Sequence, residues 1–147
     1  MILIDSNILI YAHNESSAQH ARARDWLVQQ FNGATQVGLP WQCILSFLRI
    51  TTNPRAFPNP ISILDAWRHV SAWFARQIVW TPNPTERHSA ILVSLLTQVP
   101  VQGNFVMDAH LAALAIEHGL TLCTADNDFA KFPGLRWYNP LMHSDVQ

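Results

Sequence analysis

The chain reads as an α/β protein, a three-layer α/β/α sandwich around a mostly parallel sheet of about five short strands. Three observations carry this expectation. Short, wholly apolar runs recur, as at Ile2-Leu3-Ile4, and fit strands buried on both faces. Longer stretches with apolar residues at helical spacing separate these runs. No internal repeat or low-complexity tract breaks the alternation, which is the pattern of a parallel sheet covered by crossover helices. A length of 147 residues fits one domain, 1–147, with a polar tail from about 139 that is expected to fray.

Each element has a local reason. Ile2 to Ile4 predict the first strand. Asp5-Ser6-Asn7 breaks it, and Ser6 is placed to cap a short helix over 8–12. Asn14 to Ser17 offer caps for a second helix. Its inward positions read as His20, the Arg24 stem, Leu27, Val28 and Phe31, with Asn32-Gly33 closing it. Residues 36–39 predict the second strand, although Gly38 suits a strand poorly. Pro40 suits the first turn of a helix over 41–52, which Asn53-Pro54 stops. The proline-rich segment 55–60 is too short for a domain linker. Ser62 caps a helix over 63–76, with Leu64, Trp67, Val70, Trp73 and Phe74 on one stripe. Two tryptophans on such a stripe usually mean core, and a Trp-rich helix is also a candidate partner surface. Residues 78–80 predict a third strand. Thr85-Glu86 opens a helix through Ile91, Leu92, Leu95 and Leu96. Asp108 stands in the first turn of the next helix, which Gly119 ends. Its small apolar face, Leu111, Ala112, Leu114 and Ala115, suits close packing on a sheet. Residues 120–123 and 135–138 predict the last two strands.

Composition bounds the function. Hydrophobic residues make up 49% and charged residues only 13%, so either the core is large or part of the surface meets a partner. The net charge of −1 does not announce a nucleic-acid partner. Setting aside Asp5, Asp108, Asp126 and Asp128 leaves six acids against nine bases, a mildly basic surface around an acidic spot. Cys43 and Cys123 stand alone in apolar runs and read as buried free thiols of a reducing compartment. No Cys/His cluster has zinc-ligand spacing. No basic segment precedes the first apolar run, and no stretch reaches membrane-spanning length. A cytoplasmic protein without a membrane anchor is expected.

The chemistry lies in the carboxylates. Asp5 and Asp126 follow predicted strands, so right-handed crossovers put them on one edge of the sheet. Asp108 enters from a helix start, where the macrodipole favours the ionised form. Singly, each is an ordinary strand-end, helix-start or turn residue; their joint placement carries the functional reading. Converging carboxylates repel unless they take up protons or a cation. Oxygen-only ligands suit Mg²⁺, with Mn²⁺ as the alternative, and such an ion can serve phosphodiester hydrolysis. Thr124 is placed to hydrogen-bond the cluster. A phosphatase with an aspartyl nucleophile would want Asp-x-Asp where the chain has Asp5-Ser6-Asn7. A nucleotide-binding fold would want a glycine-rich loop, which is missing.

These segments carry a resemblance. Asp5-Ser6-Asn7-Ile8, Asp108-Ala109-His110-Leu111 and Thr124-Ala125-Asp126-Asn127-Asp128-Phe129 resemble the PIN-domain family, most of all the VapC toxins of bacterial toxin–antitoxin pairs. Phe47-Leu48-Arg49-Ile50 and Phe132-Pro133-Gly134-Leu135 look like one branch of it. The resemblance spans essentially the whole chain. It implies a Mg²⁺-dependent endoribonuclease that cleaves RNA to arrest translation. It also implies a homodimer held inactive by a cognate antitoxin. Asp5, Asp108 and Asp126 would be the metal ligands, Asp128 an accessory acid, and Thr124 the residue that orients the cluster.

One departure stands out. Many relatives carry a glutamate on the third helix, where this chain has Ser46, with Gln42 one turn earlier and no acid from Thr35 to Leu64. Gln42, Ser46 or a water would have to fill that place. The alternative is a non-catalytic PIN-like module that binds RNA or a partner. For RNA contact the basic candidates are Arg22, Arg24, Arg49, Arg55 and Lys131. Arg49 reads equally as an ion-pair partner of the acidic rim.

Overall fold

The computed structural model describes residues 1–142. Among the described residues, five strands form one sheet: β1 (Ile2–Ile4), β2 (Val37–Gly38), β3 (Val79–Trp80), β4 (Thr121–Cys123) and β5 (Trp137–Tyr138). The helices are α1 (Ser6–Tyr11), α2 (His20–Phe31), α3 (Trp41–Thr51), α4 (Ile63–Phe74), α5 (His88–Gln98) and α6 (Phe105–Glu117). A 3₁₀ turn, Asn127–Lys131, joins β4 to β5.

Every neighbouring pair of strands is parallel, in the order β3-β2-β1-β4-β5. The chain steps outward from β1 to β3. It then returns through α5 and α6 and lays β4 on the other side of β1. Ile2 pairs with Thr121, Leu3 with Leu122 and Ile4 with Cys123, so β1 and β4 end level. This is the switch point of an open α/β sheet, where such folds place ligands.

Alternation along β1 sorts the two faces. Ile2 and Ile4 join Ile8, Leu27, Ile44, Phe47 and Val70 in a core beneath α1 to α4. Leu3 joins Leu95, Leu111, Leu114 and Phe129 in a second core beneath α5 and α6. The expected three layers are present. The tolerance of Gly38 in β2 is steric: a Cβ there would lie 3.2 Å from Pro82 Cγ and 3.3 Å from Leu120 Cδ1. Gly119 ends α6 as expected, at φ +65°.

Several local expectations are corrected. Asp5, not Ser6, caps α1: it is the last extended residue, and its Oδ1 accepts from Ser6 N at 2.7 Å. The polar run before α2 builds turns instead of a cap. Asn14 Oδ1 accepts from Ser16 N and Ser17 Oγ from Gln19 N, while Gln19 precedes the helix without a side-chain bond. Pro40 sits just before α3 as its N-cap, not inside the first turn. Thr85 does not open α5, because its hydroxyl donates to Glu117 Oε2 at 3.1 Å; the helix begins at His88. The α4 stripe is split. Val70 and Trp73 are buried, whereas Leu64 is 67% and Trp67 42% exposed. Ala66 is also buried and Phe74 packs partly on the first core, whereas α4 leads into the edge strand and, among the described residues, its outer flank stays open. Trp67 instead stacks on exposed Trp41 of α3, with centroids 6.5 Å apart. The start of the expected tail is tied to the domain. Asn139 Nδ2 donates to Ala125 O, Arg22 Nη1 donates to Leu141 O, and Leu141 is buried in the first core. Residues 143–147 of that tail lie outside the described residues.

One buried polar cluster ties α5 to α6. The Glu117 side chain accepts from Thr85 Oγ1 and, at 3.0 Å, from His88 Nδ1. His88 Nε2 lies in turn within hydrogen-bonding distance of His110 Nδ1, also 3.0 Å away. Arg87 Nη2 donates to the Glu117 carbonyl. Because the Glu117 side chain is fully buried, its removal strands His88 and Thr85. Glu117→Ala is expected to cost about 2–4 kcal/mol, lowering Tm by roughly 5–12 °C in thermal unfolding followed by circular dichroism.

Candidate active site

The switch point puts the ends of β1 and β4 side by side, and their next residues build the site. Asp5 N donates to Cys123 O at 3.0 Å, continuing the strand pairing by one residue. Thr124, fully buried, donates from Oγ1 to Asp5 Oδ2 at 2.9 Å. The same hydroxyl oxygen accepts from Asn7 Nδ2 at 3.1 Å and from Asp126 N at 3.0 Å. Asn7 Oδ1 accepts from Ala125 N at 3.1 Å. Thr124 therefore orients the cluster, and Asn7 is a second clamp between the α1 turn and the β4 loop. Asn7 stood in the opening motif without an assigned role. Its spacing two residues after Asp5 was visible, but its partners lie more than a hundred positions along the chain.

Asp126 caps the 3₁₀ turn, its Oδ1 accepting from Asp128 N at 2.9 Å. One carboxylate oxygen is thus occupied by the loop. Asp128 is exposed and pairs with Lys131 at 3.5 Å, which suits an accessory position. Asp108, half-buried in the first turn of α6, completes the cluster.

Burial pushes the Asp108 carboxyl up to about 6, aided by the negative charges of Asp5, Asp126 and Asp128. This overturns the expectation that the helix start keeps Asp108 readily ionised. A helix terminus contributes about 0.3–1 kcal/mol, less than a tenfold step in proton affinity, so desolvation and three like charges win. Burial also raises Asp5, against the hydrogen bonds from Thr124 and Ser6, with Asp126 adding to the rise.

The third helix brings neutral groups to the acids. Cys43 Sγ lies 4.0 Å from Asp5 Oδ1 and, with its pKa driven well up by burial, stays a thiol that donates. Gln42 Nε2 donates to Met107 O at 3.1 Å, next to Asp108. Among the described residues, no three His, Cys, Asp or Glu side chains form a ready-made cage for an ion. Of the basic candidates, Arg24 pairs with Asp25 and Lys131 with Asp128. Arg49 is exposed and forms no ion pair among the described residues, so it does not brace the acidic rim.

Two outcomes follow. A raised Asp108 means that folding favours its protonated form. That contribution is complete below the ordinary carboxyl value of 3.8 and is lost as pH rises through about 6. In EDTA, Asp108→Asn should therefore melt above the unsubstituted protein at pH 7–8, with the gap closing toward pH 4. Thr124→Val removes a hydroxyl that serves three partners and should cost about 2–4 kcal/mol in urea denaturation.

Comparison with known proteins agrees with this architecture. The profile of the PIN domain family matches residues 2–135. Ribonuclease VapC37 of Mycobacterium tuberculosis is 41% identical over 140 residues, covering 95% of this chain and 97% of that protein. Among solved structures, FitAB bound to a DNA fragment matches with a TM-score of 0.72 at 18% identity, covering 100% of both chains. VapC20 of Mycobacterium tuberculosis, described as a sarcin–ricin loop cleaving toxin, matches with a TM-score of 0.63 at 17% identity over 92% of this chain and 99% of that one. At such identities the structural matches speak for the fold alone. With the family profile spanning nearly its whole length and a close VapC relative aligned end to end, the chain belongs to the PIN-domain family, in its VapC branch.

Proposed function

We propose that this protein is a metal-dependent endoribonuclease, the toxin of a toxin–antitoxin pair, which cleaves RNA and so inhibits translation. The observation that carries the reading is that Asp108 lies near enough to the β1–β4 switch point for the charges of Asp5 and Asp126 to add to the burial that raises it to about 6. The ribonuclease name of the VapC37 relative agrees with it.

The residues fit a hard divalent cation in charge and donor chemistry. The acids crowd one another, and the oxygen donors suit Mg²⁺, with Mn²⁺ as a substitute. With no three-residue cage among the described residues, the ion would be held by fewer side chains, with water completing its shell. Asp5 and Asp108 would hold it directly. Asp126, with one oxygen committed to Asp128 N, would act through a water held by its other oxygen. When bound, such an ion neutralises charge on the phosphodiester and acidifies an attacking water. Thr124 and Asn7 hold the Asp5 carboxylate in place, and Asp128 adds negative field from the exposed side. Exposed Arg49 and Arg55 are the cations left to meet RNA phosphates, which position a substrate without reading its sequence.

The proposed partners are RNA, a cognate antitoxin and a second copy of the chain. The exposed apolar residues Trp41 and Leu45 on α3 and Ile63, Leu64 and Trp67 on α4 support a protein interface. Buried free Cys43 and Cys123 fit a reducing, cytoplasmic setting. Among the described residues no helix is long and apolar enough to cross a membrane.

A second reading, a non-catalytic module that binds RNA or a partner, draws on the missing acid of α3. One assay separates the two. Purified protein with Mg²⁺ should cleave RNA, and Asp108→Ala should lower the rate at least about a hundredfold, the scale of losing transition-state charge stabilisation. Equal cleavage by both proteins would overturn the mechanism. RNA binding without any Mg²⁺-dependent cleavage would favour the second reading.

A further inference from the structure

We propose that Gln42 is a positioning residue that sets Asp108 against the rest of the acidic cluster, doing so from the helix that lacks an acid. The inference rests on the metal-dependent reading above.

Asp108 rides on a turn that has no side-chain cap. Asn104, at the head of α6, makes no side-chain capping bond. Val106 and Met107 are 44% and 52% exposed, so the packing of this turn comes from Phe105, stacked on Phe132, at the end away from Asp108. The lateral hold comes from α3, where Gln42 Nε2 donates to the Met107 carbonyl at 3.1 Å. That carbonyl belongs to the peptide that leads into Asp108. A shift of the turn would therefore move the carboxylate relative to Asp5, which is fixed independently by Thr124 and Ser6.

The other end of the amide shows what the residue is not for. Gln42 Oε1 is buried and has no hydrogen-bond partner. An unpaired buried carbonyl oxygen counts against folding, and a methionine of similar length would fill the space without that cost. The amide thus repays its place only through its N–H end, on the turn that carries Asp108. Ser46, one turn further along α3, makes no such bond. Of the two α3 residues placed where an acid would stand, the geometry selects Gln42, acting through the backbone and not as a ligand.

The test titrates MnCl₂ into the full-length protein by calorimetry, alongside Gln42→Met, Ser46→Ala and Asp108→Asn. Hydrogen exchange is followed at the Leu111 amide, which closes the helical bond to Met107. Gln42→Met is expected to keep its Tm in EDTA, to bind Mn²⁺ about tenfold more weakly, as second-sphere losses do, and to exchange faster at Leu111. If the unsubstituted protein binds Mn²⁺ and Asp108→Asn does not, equal affinity in Gln42→Met overturns this proposal alone. A Tm loss that by itself accounts for the weaker binding, or a larger affinity loss in Ser46→Ala, also overturns it. If the unsubstituted protein binds no Mn²⁺, the metal reading and this inference fall together.

Discussion

The pairing of β1 with β4 is the constraint on which the rest of this protein depends. Three residue pairs, Ile2 with Thr121, Leu3 with Leu122 and Ile4 with Cys123, hold segments about 120 positions apart in level register. The level ending brings Asp5 and Thr124 within hydrogen-bonding distance. A slip by one residue would turn Ile2 and Ile4 from one core to the other and separate the acid from its threonine. The two cores enforce the register because Ile4 and Leu3, on opposite faces, are both fully buried.

The site built on that register is one of stored electrostatic conflict. Thr124 and Ser6 stabilise the charge on Asp5, while burial opposes it more strongly. Asp108 receives no comparable hydrogen bonds and bears the field of its three neighbours. The α3 face adds no charge, offering the thiol of Cys43 to Asp5 and the amide of Gln42 to the α6 turn. Without an acid on this face, the negative charge of the site stays below what an added acid would produce.

The outer surfaces divide the labour. The α5–α6 side is knitted by the Glu117–His88–His110 chain, which ties the middle and end of the helix carrying Asp108 to α5. Only its first turn lies beyond that knot, and there Gln42 takes over. The α3–α4 side leaves aromatic and aliphatic groups uncovered, with Trp41 stacked on Trp67. The low charge content of the chain is thus explained partly by two cores and partly by this open flank.

The layered parallel fold, the strand segments and the positions of Asp5, Asp108, Asp126 and Thr124 were legible in the sequence. Apolar periodicity and turn chemistry are local properties, and these features are written in them. Helix starts were read less well. Asn14, Ser17 and Thr85 are competent caps, and each instead serves a turn or a buried partner that spacing cannot reveal. The exposed half of the α4 stripe was unreadable, because periodicity shows that a face is apolar and not whether anything covers it. Tertiary structure alone decided that β4 lies beside β1, that Asn7 reaches across to Thr124 and that Gln42 holds the turn before Asp108. It also reversed the expected acidity of Asp108, since a helix end is a local influence, whereas desolvation and neighbouring charge exist only once distant segments have met.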